Sequence, residues 1–378
     1  MIGYILWDKS ADIFSWNQFT LRWDGLLLIV AFIVGKSILT YIYKKEGKPK
    51  TNVDILITYL VVAVFIGARL GHVIFYQPQL WAKPLGIFLP LDFKPSLHLT
   101  SLVGFSSHGA VVGILVALWL YSRKKKETHY FLYVLDRVSI LTVLIAAFIL
   151  PGSFLNSEVK GKPTNTAFGT VFTKPITKGI LQLPCCIMRN PGGKNPLNKV
   201  IATKENKEPA RTENGHHSVA LYLFFKSGTV GKVVDEFMVG DVKTYLYDKS
   251  QLVYESGEEP LHYAIFNEPN GDFEVRVRTI GIARHPVQLY ESFSSLLLFA
   301  FLFWYWYTDK STLSSGRLFG VSMIVFWSIR FMFEFLKNDQ SSFMVGLGIN
   351  KGQTLCMPLI LIGVVTLFVS QRRAAQKK

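Results

Sequence analysis

Long apolar stretches separated by basic or polar segments run through most of the chain. A hydrocarbon layer about 30 Å thick needs about 20 apolar residues per helix, and stretches of that length lie on both sides of a polar central region. They predict membrane-spanning helices at residues 23–42, 55–76, 102–121, 133–155, 287–307, 318–336 and 354–370. The pattern therefore predicts an all-α polytopic membrane protein with about seven transmembrane helices.

The fourth apolar stretch ends in an abrupt change of polarity. Residues 148–164 read F-I-L-P-G-S-F-L-N-S-E-V-K-G-K-P-T, so that P-G-S interrupts the helix before Asn156 and Glu158. Polar groups at membrane depth need partners from protein or enclosed water. Taken alone, this segment fits either a polar cavity near one face of the membrane or an ordinary helix end among lipid headgroups.

The composition changes between the fourth and fifth predicted spans. Residues 159–284 are rich in Gly, Pro, Asn, Lys and Glu and contain no stretch that could span a membrane. Alternating or β-rich patterns at residues 219–225, 232–239 and 274–280 predict strands, whereas residues 184–214 have the composition of a long, mostly polar loop. We expect a small mixed α/β head inserted between helices 4 and 5.

Basic residues at the ends of the spans predict the orientation of the chain. Clusters of Lys and Arg follow the first and third spans and form the C-terminal tail, and such clusters stay on the cytoplasmic side. The N-terminus and the head are then extracytoplasmic and the C-terminus is cytoplasmic. The formal charge of +15 reflects this topology and contact with anionic lipid, and it does not indicate a nucleic-acid partner.

The predicted domains follow from the spans and the polar insertion. Residues 1–158 hold transmembrane helices 1–4 with outer interfacial segments, of which the aromatic and proline-punctuated residues 81–100 are one. Residues 159–284 form the extracytoplasmic head. Residues 285–378 hold transmembrane helices 5–7 and the cytoplasmic tail.

Three cysteines occur, and their spacing indicates neither a disulfide framework nor a zinc site. Adjacent Cys185 and Cys186 make a poor disulfide pair with each other and lack metal-ligand spacing, while Cys356 lies in an apolar stretch. We expect ordinary thiols at all three positions.

Ionisable residues inside the predicted spans are the candidates for chemistry. A charge at the centre of a span costs about 2.5 to 3.5 kcal/mol on insertion scales. Arg330 and Glu334 stand four residues apart, share a helix face and can pair, with Lys337 one turn later. The alternative to a functional site is a structural ion pair near the outer interface.

Two other predicted spans combine a polar residue with small ones. Gly67 and Gly71 flank Arg69 and allow close approach of another helix, although the Arg69 side chain could also extend outward from its span. His108 is followed by glycines one and five positions later, which leaves its ring open to a helix or a ligand. A lone histidine in such a place is more often a packing residue than a base.

Six segments, in this order, resemble the prolipoprotein diacylglyceryl transferase family. They are G-A-R-L-G-H-V-I-F-Y at residues 67–76, S-S-H-G-A-V-V-G at 106–113, N-S-E-V-K-G-K-P-T at 156–164, R-H-P-V-Q-L-Y-E at 284–291, R-F-M-F-E-F at 330–335 and K-G-Q-T-L-C-M-P at 351–358. Their positions relative to the spans match the family pattern and cover most of the membrane portion, whereas residues 178–274 contribute little to the resemblance.

The resemblance implies a bacterial inner-membrane enzyme that acts without a metal or an organic cofactor. Such an enzyme moves the diacylglyceryl group of phosphatidylglycerol onto the lipobox cysteine thiol of a preprolipoprotein signal peptide, so that a thioether forms and glycerol phosphate leaves. The resemblance implies that Arg330 stabilises negative charge on the leaving phosphate, that Glu334 holds Arg330, and that His108 assists thiol deprotonation. It also implies a substrate-binding set made of Arg69, Asn156, Glu158, Gly161, Gln288, Tyr290 and Glu291.

The chain departs from the family signature R-L-G-N-F-x-N-S-E in three places. Leu150 stands at the arginine, Pro151 at the following Leu or Ile, and Ser153 at the first Asn. Asp24 and Phe326 also stand where the family usually has tyrosine. An uncharged Leu150 cannot bind phosphate.

Two hypotheses about function follow. One is an active transferase that binds the lipid headgroup with Arg330, Arg69 and Lys162, the last of which lies outside the span. The other is a catalytically impaired family member that acts as a lipid- or lipoprotein-binding membrane protein.

Overall fold

The computed structural model describes residues 3–376 apart from 11, 17–18, 76, 83–90, 93–97, 100–105, 125–129, 158–159, 186–192, 206–214, 256–258, 268, 270, 310–312, 339–341 and 345–348. The chain divides into two compact units, and each is described by itself. The first unit contains Met1–Leu27, Phe148–Phe293 and Arg330–Thr354. The second unit contains Leu28–Ala147, Ser294–Ile329 and Leu355–Lys378.

Helices make up most of the ordered secondary structure. In chain order they are α1 (Trp23–Lys45), α2 (Lys50–Phe75), α3 (Ser107–Arg123), α4 (Tyr130–Leu155), α5 (Lys174–Gln182), α6 (Gly231–Glu236), α7 (Lys243–Asp248), α8 (Val287–Asp309), α9 (Arg317–Glu334) and α10 (Lys351–Ala375). A π-helical turn, Phe237–Val242, joins α6 to α7, and a 3-10 turn, Pro78–Ala82, follows α2. Most of the predicted interfacial segment at residues 81–100 lies outside the described residues.

Five of these helices, α1, α2, α4, α8 and α10, are long and apolar enough to span a membrane, judged by length and composition among the described residues. Each coincides with a predicted span, and together they identify a multi-pass membrane protein. Helix α3 is apolar but shorter over its described apolar part, Gly109–Arg123. Helix α9 carries three charged residues, Arg317, Arg330 and Glu334, within its 18 residues. The count of seven spans therefore stays a prediction.

Helix α4 continues through Pro151 to Leu155, so the expectation that P-G-S interrupts the span is wrong. A proline removes one backbone hydrogen bond from a helix, and packing of the last turn offsets that loss. Phe154 is buried there, with ring centroids 5.0 Å from Trp7 and 5.5 Å from Phe172. The aromatic contacts hold the end of the helix in place.

The described strands are mostly short. They are β1 (Ile5–Trp7), β2 (Asp12–Trp16), β3 (Phe19–Arg22), β4 (Leu91–Asp92), β5 (His98–Leu99), β6 (Thr170–Phe172), β7 (Leu197–Lys204), β8 (His216–Phe225), β9 (Val253–Tyr254), β10 (Tyr263–Asn267), β11 (Phe273–Ile282), β12 (Ser342–Met344) and β13 (Ile349–Asn350). Strand β1 pairs in parallel with β6, and β2–β3, β4–β5 and β12–β13 form antiparallel pairs.

The main sheet of the first unit is antiparallel with the order β10-β11-β8-β7, and β9 also pairs with β11. Strand β8 contributes Val219, Leu221 and Leu223 to the core, because alternate side chains on a strand point to the same face. The strands predicted at residues 219–225 and 274–280 lie within β8 and β11 and are confirmed.

Two other predictions for the polar region are wrong. Residues 232–239 form helix α6 and the start of the π-helical turn instead of a strand. Val234, Phe237 and Met238, three of their apolar positions, are buried and recur at helical spacing. Residues 184–214, expected to be a loop, contain strand β7, which buries Leu197, Val200 and Ala202 and leaves its lysines outward.

The cysteines behave differently from one another. Cys185 is disulfide-bonded, so the expectation of an ordinary thiol is wrong at that position, and Cys186 lies outside the described residues. Cys356 is a buried thiol in α10, as expected.

Helices α2 and α3 of the second unit cross at glycines on both sides of the contact. A Cβ added to Gly71 would lie 2.6 Å from Gly109 Cα, and one added to Gly67 would lie 3.0 Å from Gly113 Cα. Only glycine allows the two backbones to approach this closely. The predicted close helix approach at Gly67 and Gly71 is confirmed.

A buried polar network joins Glu46, the residue after α1, to α4 and α8 within the second unit. Arg137 Nη2 lies 2.5 Å from Glu46 Oε1, and Trp306 Nε1 donates to the same oxygen at 2.7 Å. The Tyr133 hydroxyl donates to the other carboxylate oxygen of Glu46. A buried ion pair of this kind is tolerated because hydrogen bonds satisfy its remaining groups.

Asp136, next to this network, accepts backbone hydrogen bonds from Gly316 N at 2.7 Å and Phe319 N at 2.8 Å. These donors belong to the start of α9, where the helix leaves N–H groups without internal partners. A carboxylate at a helix N-terminus also opposes the positive end of the helix dipole. Asp136 therefore fixes the beginning of α9.

We predict that Gly71→Ala lowers the free energy of unfolding by about 1 to 3 kcal/mol, because the added methyl group has no space against α3. Thermal or denaturant unfolding of the purified protein in detergent measures the change. The matched control is Gly25→Ala in the first turn of α1, where a Cβ has no atom within 4 Å. Equal stability of the two variants would contradict the described crossing.

Candidate functional site

Residues 160–164 run as an extended segment that is hydrogen-bonded along both edges. On one edge, Lys162 N donates to Leu336 O at 2.7 Å and Asn338 N donates to Lys160 O at 3.0 Å. The partners on this edge come from the turn that follows α9. The end of α9 is therefore fixed to the segment by main-chain hydrogen bonds.

The opposite edge of this segment pairs with the residues that precede α8. Thr164 N donates to Ala283 O at 2.9 Å, and His285 N donates to Lys162 O at 3.1 Å. Three of the sequence motifs, which are far apart along the chain, thus lie side by side in the first unit.

Gly161 is at the centre of this arrangement. It is buried, and a Cβ at this position would lie 2.9 Å from the Cβ of His285 and 3.0 Å from its carbonyl carbon. Real Cβ atoms do not approach other atoms so closely, so any side chain would push the neighbouring segment away. Gly161, which belongs to the predicted substrate-binding set, is therefore required here by packing.

Four charged side chains meet where these segments end. Lys337 Nζ lies 2.7 Å from Glu334 Oε2 and 2.9 Å from Glu291 Oε1, while Arg330 Nη1 lies 3.6 Å from Glu291 Oε2. The side chains of Lys337, Glu291 and Glu334 are 4–6% exposed, whereas that of Arg330 is 38% exposed. Two cations and two carboxylates balance each other.

The expected Arg330–Glu334 pair is wrong. Among the ion pairs of the described residues, Glu334 contacts Lys337 and Arg330 contacts Glu291. Helix α9 ends at Glu334, and the next turn brings Lys337 back, with its backbone N donating to Glu334 O at 3.3 Å. The lysine therefore takes the place predicted for the arginine.

Glu334 also lies against the start of α10. A Cβ added to Gly352 would lie 3.0 Å from Glu334 Oε2, so only glycine leaves room for the carboxylate. The first turn of a helix favours a negative charge. Lys337 and the α10 terminus together account for the burial of Glu334.

The first turns of α8 add further polar groups from the predicted set. Gln288 is almost completely buried. Tyr290 Oη lies 3.5 Å from His285 Nδ1, and its ring centroid is 6.1 Å from that of Phe333. Burial lowers the pKa of His285 below its ordinary value, which favours a neutral imidazole at neutral pH.

The chain turns sharply where α4 ends at the N-S-E motif. Asn156 N donates to Gly152 O at 3.1 Å and Ser157 N donates to Phe154 O at 2.9 Å. Ser157 has φ 55°, in the left-handed region that favours glycine. Asn156 is half-buried in this turn, and Glu158 lies outside the described residues.

Leu150 and Gly152 occupy the last turns of α4. Leu150 is partly buried. A Cβ added to Gly152 would lie 2.8 Å from Asp24 Cα, so this glycine lets α4 pack closely against the start of α1. Lys162, which was predicted to help Arg330 and Arg69 bind the lipid headgroup, is exposed.

The remaining two predicted site residues belong to the second unit. Arg69 is buried in α2, which excludes an outward extension of its side chain into solvent. His108 is the second residue of α3, and its side chain lies outside what the structure describes. The first unit brings together Gly161, Glu291, Arg330 and Glu334.

Two residues of the site were missed by the sequence-based set, namely Lys337 and Gly352. The spacing of Lys337, one turn after Glu334, indicated a contact between these two residues. Nothing in that spacing showed that Lys337 also contacts Glu291. In the part of the chain that the structure describes, no group of three or more His, Cys, Asp or Glu side chains could hold a metal ion.

Comparison with known proteins covers nearly the whole chain. Residues 11–369 match the family model described as prolipoprotein diacylglyceryl transferase. A protein from Chloroherpeton thalassium named phosphatidylglycerol--prolipoprotein diacylglyceryl transferase is 26% identical over 379 residues, which cover 100% of this chain and 98% of the relative.

Two further relatives carry the same name. The one from Tolumonas auensis is 24% identical over 98% of this chain and 100% of its own length. The one from Porphyromonas gingivalis is 26% identical over 96% of this chain and 93% of its own length. The matches include residues 178–274, where the motif resemblance was weak.

We predict that Lys337→Met lowers the free energy of unfolding by about 3 to 5 kcal/mol, because it leaves two buried carboxylates without their shared cation. Lys337→Arg keeps the charge and should lower the free energy of unfolding by less. Unfolding in detergent, followed by loss of helical circular dichroism, provides the measurement. A methionine variant as stable as the parent would show that Lys337 does not neutralise the pair.

We predict that Ser157→Gly raises the free energy of unfolding by about 1 kcal/mol, because glycine adopts the left-handed conformation without the penalty of a Cβ. The matched control is Ser153→Gly in the last turns of α4, which should lower it by about 0.5 to 1 kcal/mol. Both variants are compared with the parent in one unfolding series. A loss of stability at position 157 would contradict the prediction.

Proposed function

The chain belongs to the prolipoprotein diacylglyceryl transferase family, and from this premise we propose that it transfers the diacylglyceryl group of phosphatidylglycerol to the lipobox cysteine of preprolipoproteins. This reaction is the first step of bacterial lipoprotein maturation. The names of the relatives, which match over nearly the full length of the chain, support the proposal.

The half-exposed Arg330 is the observation that carries the proposal. Lys337 contacts both carboxylates of the cluster at 2.7 and 2.9 Å, while Arg330 makes one longer contact of 3.6 Å. Arg330 is therefore the cation of the cluster that can turn to an anionic substrate without leaving a buried carboxylate uncompensated. A guanidinium suits a phosphate because its N–H groups can bind two oxygens at once.

The proposed reaction replaces a carbon–oxygen bond by a carbon–sulfur bond. The cysteine sulfur attacks the carbon of the diacylglyceryl group that is bonded to a phosphate oxygen. The electron pair of the broken bond passes to that oxygen, so that the headgroup leaves as glycerol phosphate. Arg330 stabilises the charge that develops there. The thiol proton must be taken up by a base, because a free thiol is mostly protonated at neutral pH, and we propose His108 for this role.

The other assignments are parts of the same proposal. Glu334 holds Lys337, and through it the charge balance of the cluster, instead of holding Arg330 directly. Substrate contacts are proposed for Arg69, Asn156, Glu158, Gly161, Gln288, Tyr290 and Glu291. The burial of Arg69, Gln288 and Glu291 supports functional roles, because buried polar groups in a membrane protein need a reason.

We further propose the topology derived from the charges of the loops. The protein then has seven spans in the bacterial inner membrane, and residues 1–158, 159–284 and 285–378 form the three predicted regions. The N-terminus and the head, which is inserted between helices 4 and 5, are extracytoplasmic, and the C-terminus is cytoplasmic. The substrates are an anionic phospholipid and a signal peptide, so the bilayer itself is a partner.

The impaired-member hypothesis rests on Leu150, which stands where the family has an arginine. The relatives' names favour the active enzyme. The two hypotheses differ in one measurable result, which is transfer of labelled diacylglycerol by correctly folded protein.

We predict transfer of labelled diacylglycerol from phosphatidylglycerol to a lipobox peptide by the purified protein. Arg330→Ala should lower the rate by roughly 100- to 1,000-fold, the usual effect of removing one group that stabilises transition-state charge. Arg317→Ala, at the other end of α9, is the matched control and should keep most of the activity. Equal loss in both variants would remove Arg330 from its proposed role.

The impaired hypothesis has its own outcome in the same assay. No transfer by folded protein, together with transfer by Leu150→Arg, would replace the proposed activity by a binding role. Transfer by the parent protein, unchanged or reduced in Leu150→Arg, supports the active enzyme.

A further inference from the structure

Arg284 is a buried cation that has no carboxylate partner in the described part of the chain. Only 4% of the surface of Arg284 is exposed. Its Nη1 donates to Gly161 O at 2.9 Å and its Nε donates to Gln251 O at 2.8 Å. These carbonyls orient the guanidinium but do not neutralise it, and burial of an uncompensated charge is costly.

Two lysines belong to the chain segments that hold this guanidinium, Lys160 next to Gly161 and Lys249 two positions before Gln251. Lys160 Nζ lies 3.5 Å from the side-chain oxygen Oε1 of Gln251. The backbone carbonyl oxygen of the same Gln251 accepts the hydrogen bond from Arg284 Nε. Lys249 begins the turn that carries Gln251, and its carbonyl oxygen accepts from Leu252 N at 2.8 Å. Within the described ranges neither lysine forms an ion pair.

Arg284 and Lys249 both act electrostatically on Lys160. The pKa of Lys160 lies below its ordinary value because of burial and because Arg284 and Lys249 disfavour its positive charge. Burial also lowers the pKa of Arg284. Like charges held together in this way gain stability when an anion is placed among them.

This cationic group differs from the Arg330 cluster, which contains equal numbers of positive and negative side chains. The two groups are neighbours in the fold, because Lys160 and Gly161 belong to the extended segment whose other edge pairs with the turn after α9. One guanidinium and two ammonium groups carried by these neighbouring segments suit a phosphate, which carries up to two charges on closely spaced oxygens.

We propose that Lys160, Lys249 and Arg284 form an anion-binding site for a phosphate group, carried either by the headgroup of an anionic phospholipid or by soluble glycerol phosphate. The choice of glycerol phosphate as a ligand rests on the proposed function, since that compound is the expected leaving group. Binding itself requires no transfer reaction.

The test uses equilibrium binding to the purified full-length protein in a non-ionic detergent. The probes are glycerol 1-phosphate, dihexanoylphosphatidylglycerol and, as a zwitterionic comparison whose phosphate charge is balanced by a quaternary ammonium, dihexanoylphosphatidylcholine, each titrated by calorimetry. The variants are Lys160→Ala/Lys249→Ala, which leaves the buried Arg284 in place, and Lys160→Arg/Lys249→Arg, which keeps both charges. Lys232→Ala removes one exposed head lysine and is the matched control.

We expect the double alanine variant to bind at least one anionic probe, glycerol 1-phosphate or dihexanoylphosphatidylglycerol, about tenfold more weakly or worse, because two charge-assisted contacts are lost. The arginine variant and Lys232→Ala should bind like the parent. A change confined to dihexanoylphosphatidylglycerol assigns the site to a lipid headgroup, and a change confined to glycerol 1-phosphate assigns it to the soluble ligand.

Several results would overturn the site. They are parental affinity of the double alanine variant for both anionic probes, an equal loss in Lys232→Ala, and absence of binding of the anionic probes by the parent protein. Failure of the proposed function is seen separately, in the transfer assay. A parent protein that binds phosphate through these lysines but transfers no diacylglycerol would retain the site and refute the activity.

Discussion

The main-chain hydrogen bonds along both edges of residues 160–164 are the interaction on which the candidate site depends. They fix the residues before α8 and the turn after α9 at distances of 2.7 to 3.1 Å from one central segment. Glu291 and Lys337 are separated by 46 positions in sequence, yet they meet because this pairing brings their segments together. The side-chain chemistry is thus built on a small piece of sheet that the strand patterns did not reveal.

Charge balance explains how ionisable groups are tolerated there. One lysine between two carboxylates satisfies both, and the helix end at Gly352 assists. Arg330, which is more exposed than its neighbours, can then interact outward at little cost. The group around Arg284 is arranged differently, since its guanidinium is held by carbonyl oxygens and has no carboxylate partner among the described residues.

Local patterns in the sequence were sufficient for much of the fold. Apolar length located five spanning helices, and the spacing of Gly67 and Gly71 identified a close helix crossing, because both properties depend on neighbouring positions. Tertiary contacts decided the rest. Packing around Phe154 stabilises the last turn of α4 beyond Pro151. The turn after α9 places Lys337 next to Glu334, so that Glu334 pairs with Lys337 and not with Arg330. No local rule measures the distance between a glutamate in α8 and a lysine after α9.

The extended segment also has a consequence for biogenesis. Domains fold as the chain is synthesised from its N-terminus, so residues 160–164 emerge well before either of their pairing partners. Both edges of the segment then expose N–H and C=O groups that lack their final partners. The edge that faces α8 stays open until residues 283–285 are made, and the edge that faces the turn after α9 stays open until residues 336–338 are made. The site is therefore among the last parts of the protein to close, and a chain that stops before Leu336 would leave one edge of the segment without the partner seen in the complete fold.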